Sequence, residues 1–270
     1  MDAGNIRPPP NLVLISGDLV LFHVDEATLI NKSTDSFKDL LPVPPKEGSS
    51  KSLLLGDIPS TELEIVLQAI YDVESNVLPS AMQIATLTQA IGHLATYGIQ
   101  PLACITQGSH LYRYLLACAT THPLEVYATA AHYNIASLAA TVSSHTLVLD
   151  LSELNDNLCL RMGAIYLLRL VQLHTGRLET LKKLLSGDLG LHNPNPVCDF
   201  EGQKIFKGMW NLGVAELFPT LRPSTTTSTI RTTILSHTTG YKCEDCAKLR
   251  DTRLARIVRE WAMTPRNITI

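Results

Sequence analysis

The stretch that decides the fold is Leu12-Val13-Leu14-Ile15-Ser16-Gly17-Asp18-Leu19-Val20-Leu21-Phe22-His23-Val24. Its two apolar, β-prone runs flank Ser16-Gly17-Asp18, a tripeptide that is typical of turns. The pattern therefore predicts a β-hairpin. A third short apolar run, Ser52–Leu55, follows a solvated loop at 46–51 and predicts one more strand.

Helical periodicity dominates the rest of the chain. Ile84, Leu87, Ile91 and Leu94 recur at spacings of three and four, which predicts an amphipathic helix that ends near Gly98. Further helices are expected to start at Ser60 and to cover 102–118, 123–132, 135–147, 161–175, 177–185, 200–217, 230–237 and 243–262. Strands followed by helices, with no glycine pattern of a nucleotide fold, indicate an α+β fold.

Composition and charge narrow the class of protein. The chain has 270 residues, of which 45% are apolar and 17% charged, so it is expected to be globular. The formal net charge of −3 gives no overall basic field for nucleic acid. Residues 1–176 hold 8 basic and 16 acidic side chains, whereas residues 177–270 hold 14 and 9. This asymmetry favours two regions over one.

Neither membrane insertion nor secretion is expected. The longest charge-free stretch, 75–112, is broken by Pro79, Gly92 and Pro101, which a spanning helix would not tolerate together. The first residues, Met1–Arg7, lack the apolar core of a signal peptide. The protein is therefore expected in the cytoplasm, the nucleus or both, where its six cysteines would be thiols or metal ligands.

Several segments together resemble the start of a BTB/POZ domain. They are Asp18-Leu19-Val20-Leu21-Phe22-His23-Val24-Asp25, Phe37-Lys38-Asp39-Leu40-Leu41-Pro42, Ile65-Val66-Leu67-Gln68-Ala69-Ile70-Tyr71 and Leu94-Ala95-Thr96-Tyr97-Gly98-Ile99. The whole chain is similar to a large group of BTB proteins from mushroom-forming fungi, whose recurring motifs it matches at 123–128, 130–133, 161–163, 198–200 and 243–246. Two positions depart from the common BTB pattern, since Asp25 replaces a usual histidine and Phe37 lies one residue later.

The resemblance implies a division of the chain and a class of function. Residues 11–120 would form the BTB/POZ-like domain, a three-stranded sheet wrapped by helices. Residues 121–270 would form an all-helical extension with a BACK-like pair and C-terminal helices. Such proteins bind other proteins, so self-association or a role as substrate adaptor for a cullin ubiquitin ligase is expected. A homodimer stays open, because the segment before Leu12 is short and proline-rich and has no room for the helix that swapped animal dimers exchange.

Cysteine spacing is the sharpest chemical pattern. Cys243 and Cys246 form a C-x-x-C pair that, with Cys198 and either His192 or His237, would offer a tetrahedral ligand set for structural zinc. Ordinary packing at the start of a helix is the commoner explanation of a single such pair, so no cofactor is expected and zinc is the open alternative. A redox role would need a thioredoxin-like context that the sequence lacks.

Three further cysteines lie in apolar helical runs. Cys104, Cys118 and Cys159 are expected to be small core residues.

The sequence offers no support for enzyme chemistry. It contains neither a G-x-S-x-G elbow nor an H-E-x-x-H pair, so no catalytic residue is assigned and no enzymatic activity is expected.

A transcriptional or chromatin protein, whose basic C-terminal part contacts nucleic acid, is the runner-up. Its candidates are Arg253, Arg256 and Arg259 of the last helix. Acidic neighbours make a solvated face the simpler interpretation, so nucleic acid is not an expected partner. Trp210 and Trp261 are expected in the helical core.

Overall fold

The structure, a computed structural model, describes residues 9–44, 51–73 and 84–270. Its contacts define two compact units. The first runs to Val142 and includes Asp156–Gly163, and the second comprises Ser143–Asn155 and Ala164–Ile270. The predicted domain at 11–120 thus lies within the first unit, which continues past it, and residues 121–270 are divided between the two.

A small mixed sheet lies in the first unit. Strand β1 (Leu12–Ser16) pairs antiparallel with β2 (Leu21–Val24) and parallel with β3 (Ser52–Leu55), so the strand order is β2-β1-β3. The predicted hairpin and third strand are both confirmed. Together with the helices below, the sheet confirms an α+β fold; the predicted loop at 46–51 lies outside the described residues except for Lys51.

One carboxylate ties the hairpin turn to a helix. Asp18 accepts hydrogen bonds from the Ser16 hydroxyl at 2.6 Å and from the Ser60 amide and hydroxyl at 2.8 and 2.6 Å. The Ser16 and Ser60 donors lower the pKa of Asp18 to about 2, because they stabilise the charged form. The turn therefore fixes where the helix that begins at Ser60 starts.

Two short helices lie between the hairpin and β3, and after β3 the described chain is mainly helical. The bounds of the helices are α1 Glu26–Lys32, α2 Ser36–Asp39, α3 Ser60–Tyr71, α4 Ile84–Thr96, α5 Pro101–Cys104, α6 His110–Cys118, α7 Pro123–His132, α8 Ala136–Thr146, α9 Asp156–Leu185, α10 Phe200–Leu217, α11 Thr227–Thr238 and α12 Glu244–Met263. The short turn α2 has positive φ angles throughout, so it is left-handed. None of the described helices combines the length and the apolarity needed to cross a bilayer.

Two predicted helix boundaries are wrong. The single helix expected over 102–118 is two, α5 and α6, because a turn intervenes and the Ser109 hydroxyl caps α6 through the amide of Tyr112. The break expected at Gly176 lies instead at Gly163, whose φ of 70° interrupts α9. Gly163 can adopt a positive φ because it has no Cβ. Gly176 stays helical because a glycine inside a helix costs only about 1 kcal/mol relative to alanine, which the rest of α9 overcomes.

The second unit has its own hydrophobic core, built from α9 to α12. Trp210 and Trp261 are buried in it, as predicted. One prediction for α12 is wrong: Arg253 does not lie on a solvated face but is buried, and its Nη2 donates a hydrogen bond to the Leu184 carbonyl at 2.6 Å. Gly187 leaves the space that this guanidinium fills.

Candidate metal centre

Four potential ligand groups meet in the second unit. They belong to His192, Cys198, Cys243 and Cys246, and their ligand atoms all lie within 4.8 Å of one another. The Nε2 atom of His192 lies 3.2 Å from the Cys246 sulfur and 3.4 Å from the Cys243 sulfur. The sulfurs of Cys198 and Cys246 are 3.7 Å apart. This cluster could hold a metal ion.

The cluster contains the three cysteines that the sequence pattern suggested as ligands. Of the two candidate histidines, it contains His192. His237 is outside the cluster, because its Nε2 atom contacts the carboxylate of Glu216. The three cysteines are buried and His192 is half-buried. Residues that are about 50 positions apart in sequence are therefore brought together by the fold.

A tight turn places Cys198. The side-chain oxygen of Asn195 accepts hydrogen bonds from the amides of Val197 and Cys198 at 3.0 and 2.8 Å. The backbones of Asn195 and Cys198 also exchange hydrogen bonds in an isolated β-bridge. Asp199 then caps α10 by accepting from the Gly202 amide at 2.8 Å. Turn and cap together hold Cys198 directly before a rigid helix.

The other two sulfurs come from the start of α12. Cys243 is its N-cap residue and Cys246 lies in its first turn, so the C-x-x-C spacing puts both side chains at one helix end. The Asn195 amide joins this helix to the Cys198 turn, since its Nδ2 donates to Asp245 at 3.0 Å and contacts the Cys243 sulfur at 3.8 Å. One asparagine therefore contacts both ligand-bearing segments.

Hydrogen bonds orient the imidazole of His192. Its Nδ1 lies 2.7 Å from the Asn193 carbonyl oxygen, which can only accept, so Nδ1 carries the proton. The lone pair of Nε2 is left facing the sulfurs, as a metal ligand requires. The buried Gln203 holds the backbone here, because it accepts from the His192 amide and donates to the His192 carbonyl, each at 3.0 Å.

Tyr241 and Gly202 close one side of the cluster. The Tyr241 hydroxyl donates to the Gly202 carbonyl at 2.6 Å and lies 3.7 Å from the Cys198 sulfur. A Cβ on Gly202 would lie only 2.9 Å from that hydroxyl oxygen and 3.3 Å from the same sulfur. The close approach of α10 to Cys198 therefore requires glycine at this position.

The thiols have divergent acidities. Burial opposes ionisation of Cys243, but backbone donors at the start of α12 and the Asn195 amide outweigh it and lower the pKa of Cys243 to about 7. Burial, followed by hydrogen bonds to Cys198 and Cys243, raises the pKa of Cys246 to about 12. One thiolate is thus favoured and a second is opposed, so the full set of thiolates needs a cation among them.

The remaining cysteines lie elsewhere. Cys118 is buried, as predicted, whereas Cys104 and Cys159 are half-buried. Burial raises the pKa of the Cys104 and Cys118 thiols, which keeps them protonated.

Sequence reasoning missed Asn195, Gln203 and Tyr241 as supports of the cluster. The Asn193-Pro194-Asn195-Pro196 run did indicate a loop before Cys198. Nothing in the local pattern indicated that its second asparagine would contact α12. No protein family, curated protein or solved structure matches the chain.

Proposed function

We propose that this chain is a non-enzymatic protein-interaction protein of the BTB/POZ type, whose second unit is held together by a structural zinc ion. The zinc ion would be bound by His192, Cys198, Cys243 and Cys246. The first unit would dock a protein partner, as an oligomer or as an adaptor for a cullin ubiquitin ligase.

The spacing of the ligand atoms supports zinc. Bond lengths of about 2.3 Å to sulfur and about 2.0–2.1 Å to nitrogen, at tetrahedral angles, place two sulfurs about 3.8 Å apart and sulfur about 3.6 Å from nitrogen. In the structure the sulfurs of Cys198 and Cys246 are 3.7 Å apart. The Nε2 atom of His192 lies 3.2 Å from the Cys246 sulfur and 3.4 Å from the Cys243 sulfur. All four ligand positions are filled by the protein, which is typical of a structural rather than a catalytic zinc site.

Metal analysis tests the zinc assignment. Protein purified without added metal should contain one equivalent of zinc by mass spectrometry, and the double variant Cys243→Ser with Cys246→Ser should contain none. His237→Ala is the matched control, because His237 lies outside the cluster, and should keep the metal. A metal-free wild-type protein that also fails to take up zinc or cobalt would contradict the assignment.

The observation that carries the interaction function is an apolar row across the outer face of the sheet. Leu21 of β2 and Leu54 of β3 both lie directly opposite Ile15 of β1. Leu21 is 57% exposed and Leu54 is 59% exposed. Side chains at directly paired positions are neighbours, so the row is continuous across the three strands.

The hairpin turn extends this row. Leu19 and Val20 are 73% and 43% exposed. Monomeric proteins rarely expose a contiguous apolar patch of more than a few hundred Å², and such patches mark sites of protein association. The row and the turn therefore support a docking role for the first unit.

A charge placed in the row tests that role. Light scattering after gel filtration gives the mass of the protein alone and mixed with a purified cullin N-terminal domain. We expect the wild type to form a dimer or a cullin complex, and we expect Leu21→Asp with Leu54→Asp to weaken it at least about tenfold. Val148→Asp, at an exposed apolar position of the second unit, is the matched control.

Two outcomes would contradict the interaction function. One is a wild-type protein that stays monomeric and binds no cullin in this assay. The other is a double variant whose complexes are as stable as those of the wild type and of Val148→Asp.

A further inference from the structure

A groove in the second unit carries an excess of positive charge. It has a volume of about 320 Å³ and lies between α9 and the segment that follows α12. The lining residues that matter are Arg169, Gln172, Arg177, Asn267 and Thr269. Among the described residues, no aspartate or glutamate lines it. None of the four metal ligands lines it either, so the groove is independent of the zinc site.

Arg177 is the deepest of these residues, being only 4% exposed. Its Nε donates to the Pro223 carbonyl, and its Nη1 donates to the Thr264 and Pro265 carbonyls, at 2.7–2.9 Å. Its guanidinium lies 4.1 Å from the centre of the Trp261 ring. These contacts satisfy hydrogen-bond donors but bring no negative charge.

A buried guanidinium normally pairs with an anion, because burial of an uncompensated charge costs several kcal/mol. Within the described residues Arg177 forms no ion pair with any carboxylate. Burial and, secondly, the nearby charge of Arg266 lower the pKa of Arg177 to about 10. Positive charge is therefore concentrated here without a protein counter-charge.

Two more arginines are unpaired in the same way. Arg169 contacts the ring of Tyr166, and neither it nor Arg266 takes part in any of the ion pairs of the described chain. By contrast, Arg222, Arg250 and Arg256 each pair with a carboxylate. Two of the arginines of this unit without an ion pair, Arg169 and Arg177, therefore line the groove, and a third, Arg266, lies in sequence between the lining residues Pro265 and Asn267.

We propose that this groove binds a small phosphate-bearing molecule, a phosphomonoester or a diphosphate, through the lining residues Arg169 and Arg177, with Arg266, whose charge acts on Arg177, adding positive charge beside it. A phosphomonoester or diphosphate brings about two negative charges or more, which match several arginines better than a carboxylate does. The amides of Gln172 and Asn267 and the Thr269 hydroxyl supply neutral donors at the rim. The volume of the groove admits a ligand of this size but not a folded partner.

Calorimetric titration of the full chain with inorganic pyrophosphate at constant ionic strength tests the site. The wild type should bind one equivalent, and Arg169→Gln and Arg266→Gln should each weaken binding about tenfold or more. These two residues are chosen because Arg177 also holds backbone carbonyls, so its replacement endangers the fold. Arg231→Gln is the control and should bind as the wild type does, because Arg231 is an exposed arginine of α11 that forms no ion pair with any described residue.

Three results of the pyrophosphate titration would overturn the proposal. They are no saturable binding of pyrophosphate in the millimolar range, an equal loss in Arg231→Gln and in the groove variants, and unchanged binding in both groove variants. A short DNA duplex in the same titration separates a free ligand from a nucleic-acid backbone. Tighter binding of the phosphodiester than of pyrophosphate, lost in the groove variants, would also overturn it.

Discussion

Replacement of Gln203 by leucine should weaken both the fold of the second unit and its metal site. Gln203 is 2% exposed and its amide makes both hydrogen bonds to the backbone of His192. Leucine has nearly the same volume, so Gln203→Leu removes the hydrogen bonds without leaving a large cavity. The amide and carbonyl of His192 then lose their partners, and the imidazole loses its anchor.

The size of the effect follows from these two contacts. An unpaired buried backbone group costs about 1–3 kcal/mol, and His192 is half-buried, so the lower value applies to each group. Metal-free protein should thus lose about 2 kcal/mol of unfolding free energy, or about 4–8 °C in Tm. Loss of a residue that orients a metal ligand typically weakens metal affinity 10–100-fold. Zinc-bound protein should therefore lose about 1.4–2.8 kcal/mol more, since each tenfold in affinity is worth about 1.4 kcal/mol.

Urea unfolding with and without bound zinc measures the loss of unfolding free energy, and competition against a coloured chelator measures the loss of zinc affinity. Gln172→Leu is the matched control, because Gln172 is an exposed glutamine of α9 outside the metal cluster. Equal losses in the metal-free and zinc-bound forms, with unchanged zinc affinity, would show that Gln203 supports only the backbone. Stability and affinity like those of the control would refute the reasoning altogether.

Three further predictions concern the metal site, the hairpin and the last helix. Gly202→Ala should weaken zinc binding about tenfold in chelator competition, because a Cβ would meet Tyr241 and Cys198, whereas Gly208→Ala, whose Cβ meets open space, should leave binding unchanged. The lowered pKa of Asp18 means that its contribution to stability is complete above about pH 3.8 and is lost as pH falls through about 2. Acid unfolding of Asp18→Asn should lack this step, and an unchanged acid profile would contradict it. DNA binding should be weak and should not change when Arg253 is replaced, since Arg253 is buried; a steep salt dependence that Arg253→Gln abolishes would speak against this.

Local patterns were sufficient to predict the elements that depend on local physics. The hairpin and the strand Ser52–Leu55 follow from apolar runs on either side of turn residues. The helix predicted near 200–217 is observed as Phe200–Leu217, and the structure shows Asp199 as its N-cap. The break expected at Gly176 was wrong because a glycine permits a break without requiring one.

The metal cluster shows the limit of the sequence most clearly. Spacing alone put Cys243 and Cys246 at one helix end, because three residues make about one helical turn. Spacing did not decide whether the pair only packs or binds zinc, and it did not decide whether His192 or His237 would be the fourth ligand. Only the tertiary structure brought the segment before α10, which carries His192 and Cys198, to the start of α12, at distances that suit a shared ion.

The sequence by itself determined the class of fold, the β-hairpin and the chemical types of the candidate ligands, since these depend on periodicity, turn chemistry and residue identity. The tertiary structure alone decided that Arg253 is buried, that Gln203 orients His192, and that Arg177 lies in a groove without a carboxylate. The physical reason is the same in each case. Burial, hydrogen-bond partners and charge compensation are properties of distant segments that meet in space, and no local pattern encodes where they meet.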